Sequence, residues 1–595
     1  MADNLEPVPL DIPPGFLKTS SPNAARGRYV DGNKVRFVNK RPEKWRGWTK
    51  YITDQLLGVA RGMTAWTNQY GNINVAIGTN LKLYVVTGDD TLADITPIRA
   101  SSTIDNDPFS VTDGLTLVTV TDTAHGAQAS DFVAFSGAAA VGGITIVGEY
   151  QIVTEVDNDT YTINHSAAAT STTTGGGASV VAAYQINVGS SGTVYGLGWG
   201  AGNWGEGTWG TPRTEGIPLE LRYWSVSEYG NDLLANPSLD GLYLWEEATD
   251  TEAEIVSNAP TSIRAMFVTG ERYIFALGTS TDMTVKWPDI DDITDWTPSA
   301  ANTANTRTLQ SGGKLIAGCP LTGGTNLVWS DTSLYVFQKV ENDLIYDSRL
   351  MGNNCGLIGA GAFARVSGVV FWLSGQNAYL FTGSVQAVPR FEEVSDVVFA
   401  EMDQSQLAKV WGYYDQYNNQ VRWSYCSIGV TEPDKYVDVS LDDWSWTTGD
   451  WDPEGDRTTG CLHRPAEASS LLVASDGYIY SHDDGLDADG SVLTSSIKSG
   501  LSALANGETN VDVMDVIPDL ERQDGNLSFR VFATNRPDSE TYIDDITVTI
   551  SKYEERDEMR LAGRHIGFEL TSSVLGGDFR LGISSVRVGE AGERP

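Results

Sequence analysis

One short pattern constrains the fold of this chain more than any other feature. An apolar strand, a turn of Gly, Ser, Asn or Asp, and a strand carrying an aromatic residue recur at 75–84, 238–245, 266–275, 327–337, 370–381, 414–423 and 472–480. Asp-Gly at 476–477 and Asn-Asn at 418–419 supply the positive φ angles that tight hairpin turns need. Tyr335, Tyr379, Trp423 and Tyr480 follow one another at 44, 44 and 57 residues, close to the length of one four-stranded propeller blade. The expected fold is therefore all-β, with a β-propeller of about six blades from roughly residue 50 to 490. Stacked sandwiches built from similar hairpins are the alternative. The 62 glycines and 10% aromatics suit many short strands joined by tight turns.

At 595 residues the chain exceeds what one hydrophobic core usually organises, so several domains are expected. Residues 1–50 read as an extended basic arm and 51–100 as the first propeller segment. Residues 101–188 contain no Lys or Arg and alternate β-branched residues with frequent turns, which predicts a small β-module inserted between blades. Residues 189–213 form a Gly/Trp-rich loop in which Trp199, Trp204 and Trp209 recur every five positions, a period that fits neither helix nor strand. Those indoles either dock on a partner or fold back over a neighbouring sheet. The remaining blades occupy 214–490, and alternating strands in 491–595 predict a C-terminal β-sandwich.

The net charge of −38, from 78 acidic and 40 basic residues, opposes a DNA-gripping role, because phosphate binding needs Lys and Arg to displace counterions. Duplex DNA is expected to pass such a surface without tight binding. Residues 1–50 differ, with ten basic against five acidic side chains. Lys34, Arg36, Lys40, Arg41 and the nearby Trp48 are the candidate docking residues of this arm; an ordinary basic surface is the plainer reading. The opening Met-Ala-Asp-Asn carries no charged-then-apolar leader, and no apolar run approaches the roughly 20 residues that span a bilayer, so synthesis and assembly in a cytoplasm are expected.

Little in the sequence supports catalysis. Five scattered histidines make no metalloprotease motif, and no phosphate-binding glycine loop is present. Cys319, Cys355, Cys426 and Cys461 lack metal-ligand spacing and read as free buried thiols. The acidic run 289–295 reads as a solvated loop in preference to a calcium site. Ser330-Asp331 and Ser475-Asp476-Gly477 resemble the Asp-box turns of sialidase propellers, which keeps a glycan-binding or glycan-cleaving propeller as the alternative function. No cofactor and no metal are expected.

Several words in fixed order resemble the tail nozzle, or tail hub, proteins of short-tailed bacteriophages (the tubular tail protein B-like family). They are Ile12-Pro13-Pro14-Gly15, Gly27-Arg28-Tyr29, Arg46-Gly47-Trp48, then Asp295-Trp296-Thr297-Pro298 with Asn302. Asn354-Cys355-Gly356-Leu357-Ile358-Gly359 follows, with Phe371-Trp372-Leu373, Asp442-Asp443-Trp444-Ser445-Trp446 and Phe579-Arg580-Leu581-Gly582. The resemblance covers most of the chain outside 101–188. It implies a non-enzymatic virion protein, a homohexameric ring below a head-to-tail adaptor, with tail fibres or spikes as further partners and a channel that conducts the genome. It also implies structural roles for Trp296, Asn302, Asn354, Cys355, Gly356, Gly359 and Trp372.

Overall fold

The computed structural model describes all residues except 1–6, 20, 22–23, 194–219, 341–343, 452, 454, 465–468, 504–508, 537–540 and 591–595. Its described residues are almost entirely strands and turns, with one α-helix, Ser395–Glu401. No helix among them is long and apolar enough to cross a membrane.

The fold is all-β and propeller-like, built on a repeated four-stranded antiparallel meander. Among the described residues seven such sheets are present, against the roughly six expected from the aromatic spacing. Each of the seven hairpins recognised in the sequence falls in a different one. The chain divides into two compact units, residues 56–309 with 341–345, and residues 1–55, 310–340 and 346–595.

The first of these units holds the meanders at 60–94, 224–255 and 265–308. Between the first two lies a folded eight-stranded sheet running from Ile98–Thr103 to Val181–Gln185. Its strand Gly148–Asp157 pairs with Phe132–Ser136 on one side and Thr160–Asn164 on the other. The inserted module encloses its own core, in which Phe109, Phe135, Tyr161 and Tyr184 are buried. It is clamped to its host sheet by Lys82, which is fully buried and donates to Asp94 at 2.9 Å and to the module's Gln185 at 2.8 Å. The same ammonium pairs with Glu149 and lies 4.1 Å from the Phe132 ring centre. A buried cation with no partners would be prohibitive, so these contacts fix the module's orientation on the 60–94 sheet.

The other unit holds the meanders at 315–353, 363–387 and 411–450, and a fourth at 459–482. That fourth sheet takes its outer strand from the far end of the sequence, with Trp48–Lys50 pairing antiparallel to Ile479–His482. Three further sheets combine both ends of the chain. Pro7–Pro9 pairs with Ser585–Glu590, and Tyr29–Asn33 with Ser495–Ser499. Val35–Val38 and Arg41–Lys44 form a hairpin whose second strand meets Asp578–Leu581. The first 50 residues are thus not an extended arm. Their apolar side chains Phe16, Tyr29, Val35 and Phe37 join one continuous core with Phe371 and Trp423 of the meanders and Phe529 and Phe568 of the C-terminal strands. The C-terminal domain expected at 491–595 is correspondingly incomplete without residues 7–44.

Candidate functional site

The basic segment at the N-terminus is folded into a layered junction of arginines, carboxylates and indoles. In the first layer Arg36 donates to Glu43 and to Asp483, each at 2.8 Å. Arg580 approaches the other Glu43 oxygen at 2.6 Å. One short hairpin therefore ties the 459–482 sheet to the C-terminal strands. Burial raises the Glu43 pKa, but the two guanidiniums outweigh it and hold the carboxyl below its ordinary value.

The second layer centres on Arg422, which forms a fork with Asp438 through two bonds of 2.7 Å. Its guanidinium lies 3.7 Å from the Trp45 ring centre and donates to Tyr413 Oη at 3.1 Å. Trp45 packs against Tyr436 and Trp451, with centroids 4.5 and 5.6 Å away. In the third layer Arg457 lies 4.8 Å from Trp48 and 4.7 Å from Tyr480. Its Nε donates to His482 Nε2 at 3.0 Å, and His482 stacks on Trp48 with ring centres 4.9 Å apart. A planar guanidinium satisfies both needs here, in-plane hydrogen bonds and face-on contact with aromatics, which an ammonium does not.

This arrangement corrects the docking assignment. Lys34, Arg36 and Trp48 are 0%, 3% and 2% exposed, so they cannot meet a partner. Lys34 instead offers its backbone N–H to Tyr436 Oη at 2.7 Å and its carbonyl to Ser495 Oγ at 3.0 Å. Lys40 is exposed at a turn where it and Asn39 have positive φ, and Arg41, half-buried, reaches Asp11 at 3.4 Å. The partners Arg422, Asp438, Arg457 and His482 were not singled out in the sequence. For Arg422 and Asp438 the signal is a lone charge inside an apolar strand, Val421-Arg422-Trp423 and Val437-Asp438-Val439, at positions that face each other across the sheet; Arg457 and His482 carry no such local signal.

His482 gives this junction a pH dependence. Burial, then the Arg457 and Arg422 charges, hold its imidazole well below the ordinary value of 6.5. The unfolded chain takes up this proton below pH 6.5 and the folded chain does not, so the contribution is complete above 6.5 and lost as pH falls. The loss amounts to about 1.4 kcal/mol per pH unit until the folded imidazole titrates. Asp415 works in the opposite sense: burial, then Asp483, pushes its carboxyl up to about 6, so the fold gains stability as pH falls from there toward 3.8. Comparing His482→Gln with the parent cancels the Asp415 contribution. The unfolding free energy from urea titrations should fall by about 1 kcal/mol less in the variant between pH 6.5 and 5.5, since the unfolded imidazole is already half protonated at 6.5; equal falls would remove His482 as the cause.

The residues of the family-like words sit at joints between strands and sheets. Trp372 Nε1 donates to Cys355 O at 2.8 Å, and Trp423 and Trp446 make the same kind of bond to Ala362 O and Pro389 O. Trp296 is buried and donates to Ile293 O at 2.7 Å, while Asn302 Nδ2 bridges Asp295 and Thr297 O at 2.7 and 2.8 Å. Asn354 turns the chain with φ 58°, and the Cys355 thiol is buried with its pKa raised by desolvation. A Cβ on Gly356 would lie 2.2 Å from Asp331 O, and one on Gly359 2.7 Å from Leu407 O. Both obstacles are backbone, so Gly356→Ala is expected to cost about 2–3 kcal/mol in chemical denaturation. An unchanged midpoint would mean that the joint yields.

The other candidate motifs are structural as well. Asp289 accepts from the backbone and hydroxyl of Thr303 at 2.9 and 2.6 Å, and Asp292 caps Thr294 at 2.8 Å. No cluster of metal-ligating side chains is found among the described residues. Asp331 caps Gly313 N, at the entry to the first strand of its sheet, at 2.8 Å, and Asp476 accepts from Tyr478 N and Tyr480 Oη of its own hairpin at 2.9 and 2.8 Å. Trp199, Trp204 and Trp209 lie outside the described residues. A cleft of about 450 Å³ opens between the 315–353 and 363–387 sheets, bordered by Gln338, Asp347, Arg349, Met351 and Phe381.

No protein-family model matches the chain, and no curated protein matches it. Among solved structures, the phage phi92 endosialidase aligns at 10% identity and TM-score 0.18, over 66% of this chain and 53% of its own. The extracellular domain of a hybrid two-component system from B. thetaiotaomicron aligns at 10% identity and TM-score 0.32, over 88% and 72%. The Neurospora crassa Pan2 WD40 domain aligns at 9% identity and TM-score 0.29, over 64% and 89%. This chain therefore spans about half of the endosialidase. With every TM-score below 0.5, none of these likenesses bears on activity or partner.

Proposed function

We propose that this chain is a structural subunit of a short phage tail, a nozzle protein that assembles as a ring below a head-to-tail adaptor and lets the genome pass. The observation that carries the reading is where the basic residues go. The chain bears −38, and Lys34, Arg36 and Lys44 of its most basic segment are buried. Glu43 is buried with them, so the segment shows a smaller basic excess than its sequence implies, and the chain's large acidic excess lies on the surface of the remainder. A wall of that kind repels phosphate and leaves duplex DNA free to slide.

The family-like words support the same reading because they build joints and not an open reactive site. The subunit acts by geometry, without turnover. Six copies, with the adaptor and with fibres or spikes as neighbours, follow from the resemblance, as does a place in the virion tail. Strong self-repulsion makes assembly salt-dependent. Negative-stain imaging with purified adaptor at low and moderate salt should show rings with a channel wide enough for duplex DNA, together with no measurable binding to linear DNA. A protein that never forms rings with the adaptor but binds or depolymerises host surface polysaccharide would replace this reading with a glycan-directed propeller.

A further inference from the structure

The cleft of about 450 Å³ between the 315–353 and 363–387 sheets takes no part in the junction of arginines and indoles. Its floor is one face of three neighbouring strands. Thr325, Gln338 and Asp347 stand opposite one another in one row across them, and Val336 stands opposite Arg349 in the next. Asp347 and Arg349 are exposed two positions apart on that face, and neither side chain has an ion-pair partner among the described residues. Gln338 is held in one orientation, its Oε1 accepting from Thr325 Oγ1 at 2.7 Å and its Nε2 donating to Gly323 O at 3.1 Å. One N–H and one lone pair of that amide stay uncommitted. Half-buried Val336 and Met351 add apolar surface between the polar groups. The 363–387 sheet contributes two turn glycines, Gly368 and Gly383, whose φ of 92° and 100° disfavour any larger residue and keep the opening unfilled.

We propose that this cleft binds a short neutral saccharide. Its size is that of a small-molecule site. Its polar groups are balanced: the Asp347 carboxylate only accepts, the Arg349 guanidinium only donates, and the Gln338 amide does one of each. An anion would suit Arg349 but meet Asp347 and a chain of net charge −38. A cation would suit Asp347 but meet Arg349, and one carboxylate is too few to hold a metal ion. A zwitterionic amino acid would use the two charges and leave the amide idle. Neighbouring sugar hydroxyls, each both donor and acceptor, satisfy all three groups at once, while the C–H face of the ring rests on Val336 and Met351. The cleft lies within one subunit, so the inference does not rest on the nozzle reading, and a ring that binds a sugar satisfies both.

Saturation-transfer NMR on the full chain tests this, with maltose, lactose and chitobiose as neutral probes and sialyllactose and leucine as anionic and zwitterionic controls. At about 10 mM probe, at least one neutral disaccharide should show transfer to its ring protons, with a Kd on the order of 1 mM. The signal should be the same at low and high salt, because a neutral ligand has no charge to screen. Asp347→Ala and Arg349→Ala should each weaken binding by about tenfold, the effect of losing a hydrogen bond to a charged group. Both side chains are exposed, so the melting temperature of each variant should match the parent and separate lost binding from lost fold. Absence of transfer from all three neutral probes would overturn the proposal. So would transfer that persists undiminished in D347A/R349A, or binding confined to sialyllactose or leucine.

Discussion

Deletion of residues 1–50 is expected to leave the C-terminal strands unable to fold, not merely to detach the protein from a partner. The deletion removes one strand from each of two C-terminal sheets, two strands from the third, and the outer strand of the 459–482 meander. It also removes five aromatics, Phe16, Tyr29, Phe37, Trp45 and Trp48, none more than 4% exposed. At about 1.5–3 kcal/mol for each buried large side chain, their loss approaches the whole stability of a typical domain. The truncated chain should accumulate as insoluble protein. Co-expression of residues 1–50 as a separate polypeptide should return part of it to the soluble fraction, because those strands add at sheet edges. A soluble truncation with an unchanged melting profile would restore the view of this segment as a detachable arm.

The contrast between that segment and the meanders shows what a sequence reveals and what it hides. Hairpins such as 327–337 and 370–381 are local: the alternation, the turn and the facing strand lie within about a dozen residues, so the pattern shows them directly. The closure of the 459–482 sheet by Trp48–Lys50 joins residues more than 400 positions apart and leaves no local periodicity to read. Basicity misled for a related reason. Ten cations in 50 residues look like a surface because lone buried cations are rare. Arg36 has one near partner, Glu43, but the others, Asp483 for Arg36 and Ser572 for Lys44, are distant in sequence and become visible only in the fold. The words at 296, 302 and 354–359 were legible as words. Why glycine must stand at 356 was not, since the obstacle is the backbone of Asp331, 25 residues earlier.

The Arg422–Asp438 fork should give the largest effect of any single side chain. Arg422→Leu strands a carboxylate that is 1% exposed, and burial alone already raises the pKa of Asp438 against the opposing pull of Arg422. Removing one partner of a buried pair costs about 3–5 kcal/mol. Asp438→Leu should cost a similar amount by orphaning the guanidinium. The double variant R422L/D438L leaves no uncompensated charge, so it should be more stable than the sum of the two losses predicts, by about 2 kcal/mol or more. Recovery will be incomplete, because Arg422 also fills the space against Trp45 and donates to Tyr413. Urea denaturation of the four proteins at pH 7.5 completes the cycle. A double variant as damaged as the sum of the singles would mean that Arg422 acts through its packing on the indoles, and that the charge pair itself contributes little to the stability of the 411–450 sheet.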